Sequence, residues 1–169
     1  MVEATKHLTL ANQSITTWSG ELSTPVLDQK HPTLVPVLRA GLGMLEGALA
    51  ILPCAKVSVV GIKRNEQTLE PQSYYDNIVD DIEHRLAIVI DPMLATGGTA
   101  KATIELLKSS GCKSISAVFM VAAPEGLEAL TKAHPEVDIY IAALDQSLNE
   151  QGYIMPGLGD AGDKIFGTE

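Results

Sequence analysis

Positive charge and aromatic side chains are both scarce in this sequence. The 169 residues contain 12 Lys and Arg against 21 Asp and Glu, a net charge of −9, and Phe, Trp and Tyr make up only 4%. Proteins that bind nucleic acid draw affinity from clustered Lys and Arg, and they hold single strands on stacked aromatic rings. The composition therefore disfavours nucleic acid as the main partner, although a few local cations and backbone amides can still hold a small anion.

Cysteines are few, and the apolar runs are short. Cys54 and Cys112 lie far apart and neither belongs to a C-x-x-C pair, which indicates free thiols in a reducing compartment and predicts a cytoplasmic location. No stretch approaches the apolar length of a membrane span, and the first six residues lack a basic-then-apolar signal pattern. We therefore expect a soluble protein with no membrane partner. The four histidines form no metal-binding pattern, so no metal site made by the protein is predicted.

Apolar, β-branched runs alternate with helix-like segments along most of the chain. The hydrophobic content of 46% suits one globular domain, 1–169, with a core of its own. The pattern predicts strands at 33–38, 56–62, 86–90, 115–122 and 137–143, and helices at 43–51, 98–109 and 124–133. Such alternation is typical of an α/β fold with a mostly parallel sheet and crossover helices.

Two segments fall outside this alternation. Residues 64–85 are polar and charged, and they predict a mobile hairpin or loop over the sheet. Residues 146–169 contain five glycines, which predicts neither a helix nor a long strand. This tail either frays or folds around something. Its composition alone fits a flexible acidic tail, but the apolar residues between its glycines favour burial.

The most informative stretch follows the predicted strand 86–90. Asp91 comes directly after the strand, and Thr96, Gly97, Gly98 and Thr99 open the next helix. Amides of a glycine loop and a helix N-terminus favour a phosphate at such a position, and a carboxylate can accept from two hydroxyls of a sugar. The alternative is an ordinary turn from strand to helix. The Walker and dinucleotide-binding patterns are both absent.

Two arginines follow other predicted strands. Arg39 comes between the strand 33–38 and the glycine turn at 41–43, and Arg64 comes after the strand 56–62. A planar guanidinium at a strand end can bind an anionic oxygen pair. Taken alone, Arg39 fits an ordinary surface position unless a second anion-binding loop lies at the same sheet edge, and Arg64 fits a solvated loop.

Residues 91–99, with the sequence Asp-Pro-Met-Leu-Ala-Thr-Gly-Gly-Thr, resemble the loop that binds phosphoribosyl pyrophosphate (PRPP) in type I phosphoribosyltransferases. The form with Pro92 in place of a second acid is similar to that of the uracil phosphoribosyltransferase family, and the resemblance extends from Glu3 to Thr168. It implies that family's fold: a mostly parallel sheet flanked by helices, a flap at about 64–85 and a C-terminal hood at about 146–169. It also implies a set of PRPP-binding residues: Arg39, Arg64, Asp91, Pro92, Met93, Leu94, Ala95, Thr96, Gly97, Gly98, Thr99 and Asp160.

The tail carries the part of the resemblance that concerns the base. Residues 153–167 include Gly-Asp-Ala-Gly-Asp-Lys, and the family likeness places uracil against Ile154, Gly159, Asp160 and Ala161, mainly through the main chain. Backbone amides can match the alternating edges of uracil, whereas cytosine or a purine would leave polar groups unpaired.

The resemblance implies an enzyme, a pentosyltransferase that converts uracil and PRPP to UMP and pyrophosphate in pyrimidine salvage. Asp91, Arg39 and Asp160 would be its catalytic residues. Mg²⁺ would be held mainly by PRPP, GTP would serve as an allosteric activator, and the chain would form a homodimer or higher oligomer. The family's helical arm ahead of Glu3 is missing here, which leaves the oligomeric state open. The other readings are a PRPP-sensing regulator that acts on RNA or protein, and a phosphoribosyltransferase for purines.

Overall fold

The computed structural model describes residues 1–64 and 71–168, except for the side chain of Arg64. These residues form five helices: α1 Val2–Thr5, α2 Leu42–Ile51, α3 Gly98–Ser109, α4 Pro124–Ala133 and α5 Ala161–Phe166. The strands are β1 Leu10–Thr17, β2 Gly20–Leu27, β3 Thr33–Leu38, β4 Lys56–Val57, β5 Val59–Arg64, β6 Pro71–Asn77, β7 Leu86–Leu94, β8 Ser114–Ala122, β9 Asp138–Leu144, β10 Ser147–Leu148 and β11 Ile154–Met155. A 3₁₀ turn covers Ile82–His84.

A seven-stranded sheet forms the centre of the molecule. Its order is β6-β5-β3-β7-β8-β9, with β4 also paired to β3. Every pairing in it is parallel except the β5–β6 pair, which is antiparallel. The mostly parallel sheet flanked by helices confirms the predicted α/β fold.

The centre of the sheet is buried on both faces, and β7 shows this by alternation. Ala87 and Val89 pack on one face with α3 and α4, whereas Ile88 and Ile90 pack on the other with α2. Successive residues of a strand point to opposite faces, so a central strand covered on both sides must be apolar throughout. This explains why the run 86–90 was readable from sequence.

The strand order reverses between β3 and β7. From β3 the chain crosses to β5 on one side, and from β7 it crosses to β8 and β9 on the other. In open parallel sheets, crossovers that diverge in this way leave a crevice at the carboxyl ends of the two strands. The segments that follow Leu38 and Leu94 therefore meet at one edge.

Local patterns gave most boundaries correctly, but β7 is longer than predicted. The predicted bounds of β3, α3 and α4 are those observed, whereas β7 runs on to Leu94. Asp91 and Met93 pair with β8, while Pro92, which has no amide, has no partner in the register. Asp91 thus lies inside the strand, and the prediction that it terminates the strand is wrong.

The N-terminal hairpin of β1 and β2 was not predicted. Its two strands pair antiparallel with each other and form a separate two-stranded sheet. Trp18, at the turn, is fully exposed. Polar Asn, Gln, Ser and Thr dominate β1, so the alternating apolar signal of a half-buried strand is missing.

The two segments outside the predicted alternation have defined structure. Within 64–85, β6 pairs with β5 and Ile82 is buried; the prediction for residues 65–70 lies outside the described residues. In the tail, β10 pairs with β11 and α5 follows. The expectation that glycine excludes a helix there is wrong, because α5 is capped by Asp160 and ends at Gly167, whose φ is 64°.

Candidate active site

The loop between β7 and α3 leaves a row of backbone amides available. Within the described residues, no protein acceptor is hydrogen bonded to the amides of residues 95–99. Gly97 is the N-cap of α3 with φ 82°, a conformation that suits glycine, and the first turn of α3 has no acidic residue. The partial positive charge of a helix N-terminus is therefore combined with free donors, which suits a phosphate group.

Helix α4 supports this loop from below through a close contact at Gly126. A Cβ added to Gly126 would lie 2.0 Å from the carbonyl oxygen of Ala95. A Cβ on Gly97 would lie 3.0 Å from the carbonyl oxygen of Gly126. The backbones of loop and helix thus approach as closely as glycine allows, and a larger residue at position 126 would displace one of them.

Asp91 is the ionisable group closest to this loop on β7. Burial raises the pKa of its carboxyl to about 7, and the Met93 amide, 3.5 Å from Asp91 Oδ1, opposes the rise only in part. Removal from water disfavours the charged form of an acid. Near neutral pH the carboxyl therefore exists as a mixture of protonated and ionised forms.

A cavity of about 240 Å³ joins the sheet edge to the C-terminal tail. Asp91, Met93 and Ala95 line it from the end of β7, and Ala40 lines it from the end of β3. The tail closes it with Gly152, Tyr153, Ile154, Gly159, Asp160, Ala161 and Gly162. The predicted phosphate loop and the predicted base-binding residues thus meet in one place.

Arg39, which is predicted to bind PRPP, contacts residues of the C-terminal tail. Its Nη2 donates to Asp163 Oδ1 at 2.9 Å, and its Nη1 donates to Thr168 Oγ1 at 3.3 Å. It is not among the residues that line the cavity. The guanidinium is therefore turned toward α5 and the residues after it, although the neighbouring Ala40 faces the cavity.

The remaining predicted residues divide into three groups. Thr96 and Thr99 are exposed beside the free amides, and the glycines between them form the loop itself. Pro92 and Leu94 are buried in β7, so only their backbone is near the site. Arg64 belongs to the end of β5, but its side chain lies outside the described residues.

The protein has other cavities, including one of about 400 Å³ that is lined by Pro71, Gly98, Lys101, Ala102 and Glu105 beside the start of α3. One of about 170 Å³ is lined by residues such as Lys108, Cys112 and Glu136 near the start of β8. Another, of about 430 Å³, borders α4. The cavity at the β3–β7 edge is the candidate active site, because it combines Asp91 and Ala95 from the end of β7 with residues 152–154 and 159–162 of the tail. In the part of the chain that the structure describes, no group of three or more His, Cys, Asp or Glu side chains could hold a metal ion.

Comparison with known proteins identifies the family of the chain. The family model for uracil phosphoribosyltransferase matches residues 1–168. The chain belongs to the uracil phosphoribosyltransferase family. It is similar to protein AQ2163 of Aquifex aeolicus, with 41% identity over 98% of this chain and 79% of that one, and a TM-score of 0.90.

Two further structures share the fold at lower identity. A purine phosphoribosyltransferase of Pyrococcus horikoshii is 19% identical over 69% of this chain and 72% of that one, with a TM-score of 0.51. A hypoxanthine phosphoribosyltransferase of Staphylococcus aureus is 18% identical over 71% of this chain and 65% of that one, with a TM-score of 0.53. By its family the chain is a phosphoribosyltransferase, a glycosyltransferase by reaction class, and that family acts on small molecules such as PRPP and a base. No helix among the described residues is long and apolar enough to span a membrane.

Sequence reasoning missed four of the residues that line the cavity: Ala40, Gly152, Tyr153 and Gly162. Three of them adjoin predicted positions, so the signal was one residue away. Gly152 gave no signal except its place at the start of the tail. The pairing of Arg39 with Asp163 had no sequence signal, because these residues are 124 positions apart.

Proposed function

We propose that this phosphoribosyltransferase uses uracil as its base and converts uracil and PRPP to UMP and pyrophosphate. The observation that carries the proposal is the row of amides at residues 95–99, which have no protein acceptor within the described residues and lie beside a cavity closed by the glycine-rich tail. Family membership supports the reaction class, and the uracil-specific description of the matching model favours the base.

The 5′-phosphate of PRPP is assigned to the loop before α3. Its charge would be held by amides of residues 95–99, and the exposed Thr96 and Thr99 supply hydroxyl donors beside them. Asp91 lies on the wall of the cavity, where an ionised carboxylate accepts from both ribose hydroxyls. This arrangement would fix the sugar so that its reacting carbon faces the tail.

The base is assigned to the part of the cavity that the tail closes. Ile154 is 98% removed from solvent and offers an apolar surface, while Gly159 and Ala161 present backbone groups. A small flat base with alternating acceptors and donors can pair with such groups without long side chains. Cytosine would present a donor where uracil presents an acceptor, and the unpaired group would be penalised.

The chemistry would depend on positioning and charge more than on a strong base. Positive charge grows on the ribose ring as pyrophosphate leaves, and Asp91 and Asp160 are the carboxylates on the cavity wall. Arg39 and Arg64 are the cations proposed for the leaving pyrophosphate. When bound, Mg²⁺ would neutralise part of the pyrophosphate charge, and the sparse carboxylates of this site fit an ion held mainly by substrate oxygens and water. Activation by GTP, a cytoplasmic location and a homo-oligomer stay predictions.

A substrate specificity assay tests the proposal. The protein is incubated with PRPP, magnesium and radiolabelled uracil, then with labelled cytosine or hypoxanthine, and nucleotide products are separated. We expect UMP from uracil and at most about one hundredth of that rate from cytosine, since unpaired polar groups discriminate strongly. Preferential use of hypoxanthine would assign the site to purines. PRPP binding without turnover of any base would instead indicate a PRPP-sensing protein.

A further inference from the structure

Asp163 joins Arg39 to the C-terminal helix through a closed set of hydrogen bonds. Asp163 Oδ1 accepts from Arg39 Nη2 at 2.9 Å and from Thr168 Oγ1 at 2.5 Å. Arg39 Nη1 reaches the same threonine hydroxyl at 3.3 Å, and the Phe166 ring lies 5.9 Å from the guanidinium carbon. The Thr168 hydroxyl first, and the Arg39 guanidinium second, lower the pKa of the Asp163 carboxyl. The pair is therefore charged on both sides at neutral pH.

This cluster differs from an ordinary surface ion pair in its connections. An isolated exposed pair contributes little, because solvent screens it and two long side chains must be ordered. Here the side chains of Arg39 and Asp163 are 52% and 28% exposed, but three polar groups hold one another in a triangle. Such charge-assisted bonds with several partners are stronger than a single contact.

Helix α5 depends on such outside contacts. It has only six residues, and a helix of that length is not stable by itself in water. Asp160 caps it by accepting from the amide of Asp163 at 3.0 Å. The side chain of Ile165 lies close to α2, since a Cβ added to Gly43 would be 2.8 Å from its Cδ1. The ion pair with Arg39 ties it to the end of β3.

The same helix carries part of the cavity wall. Gly159 and Asp160 precede α5 and line the cavity, as do Ala161 and Gly162 in its first turn. A Cβ on Gly162 would lie 3.6 Å from Arg39 Nη2, so the guanidinium packs directly against this turn. Movement of α5 away from Arg39 would therefore displace residues 159–162.

We propose that Asp163 is a positioning residue for base binding: its ion pair with Arg39 docks α5 and thereby fixes the wall formed by residues 159–162. The proposal rests on the proposed function for the identity of the base. It assigns Asp163 no contact with substrate. It also gives Arg39 a task on the base side, in addition to the PRPP contact that the resemblance implies.

The test compares Asp163→Asn with Thr168→Val, which removes the hydroxyl from the triangle and leaves the charges. Both changes should raise the KM for uracil, by roughly tenfold for Asp163→Asn and less for Thr168→Val, since charge-assisted bonds are the stronger ones. The KM for PRPP should stay within about twofold, because the guanidinium is retained. Asp163→Glu should recover part of the affinity for uracil. Glu136→Gln, which breaks the distant Lys108–Glu136 pair, is the matched control and should change neither constant.

Hydrogen–deuterium exchange of residues 161–167 supplies a measurement that does not depend on the base. Asp163→Asn should speed exchange in this segment and leave that of β7 unchanged. A raised KM for PRPP with an unchanged KM for uracil would overturn the proposal and show that Asp163 orients Arg39 toward PRPP instead. Unaltered exchange and kinetics would also overturn it. Wild-type protein that makes no UMP rejects the proposed function, while exchange in α5 still decides whether Asp163 docks the helix.

Discussion

Replacement of Asp91 by Asn should exchange activity for stability, with a defined pH dependence. The ordinary pKa of an aspartate is 3.8, and burial raises that of Asp91 to about 7. Between these values the folded protein retains a proton that the unfolded chain releases. The contribution of this group to stability is therefore fully present below pH 3.8 and is lost as the pH rises to about 7. Asn cannot ionise, so Asp91→Asn avoids this loss.

The magnitude follows from the shift. A change from 3.8 to about 7 corresponds to roughly 4 kcal/mol in the free energy of unfolding. About 1.5 kcal/mol of it is already lost at pH 5, and nearly all of it at pH 8. The difference in free energy of unfolding between the variant and the wild type should therefore increase by about 2.5 kcal/mol in favour of the variant from pH 5 to pH 8. For a chain of this size, that equals a change of roughly 5 to 10 °C in the difference between their melting temperatures.

Calorimetry or circular dichroism melts at several pH values measure this difference, and a UMP assay measures the cost. We expect Asp91→Asn to lose activity by at least about tenfold, because an ionised carboxylate accepts hydroxyl hydrogen bonds more strongly than an amide. Asp138→Asn, at an exposed carboxylate at the start of β9, is the control, and its difference in melting temperature from the wild type should not increase with pH. If the difference in melting temperature between Asp91→Asn and the wild type stays constant between pH 5 and pH 8, the argument that burial perturbs this carboxyl is refuted.

Three other predictions concern the site and the hairpin. Asp160→Ala should abolish UMP formation and lower the stability by about 1 kcal/mol, because the N-cap of α5 is lost. Asp160→Asn should keep the cap and still lose activity. Normal turnover in both variants would show that Asp160 is not part of the site. Gly126→Ala places a Cβ 2.0 Å from the Ala95 carbonyl oxygen, so thermal melts should show a loss of about 1 to 3 kcal/mol in the free energy of unfolding. The KM for PRPP should also rise. A variant with wild-type values would contradict the close packing of α4 against the loop. Trp18, the single tryptophan, is fully exposed on a two-stranded hairpin, and such a hairpin has little stability by itself. If the hairpin joins copies of the chain, the emission of Trp18 should shift to the blue as the protein concentration rises. Unshifted emission in a sample that light scattering shows to be dimeric would exclude the hairpin from the interface.

The parts of the fold that were predictable share a local cause. The bounds of α3 and α4 follow from Gly98 and Pro124 at their starts and from apolar spacing within each helix. The phosphate loop was readable because its glycines and threonines are contiguous. The strand β7 was underestimated because pairing with β8 continues past Asp91, and pairing partners are not visible in a single strand.

The sequence by itself determined the α/β alternation, the loop that precedes α3 and the family to which the chain belongs. Each depends on neighbouring residues, whose backbone hydrogen bonds and side-chain spacing are set within a few positions. Only the tertiary structure decided that Arg39 turns toward Asp163, that the tail closes a cavity over the end of β7, and that the pKa of Asp91 is raised. These properties arise from contacts and burial between segments remote in the chain, and no local pattern encodes the distance or the dielectric environment on which they depend.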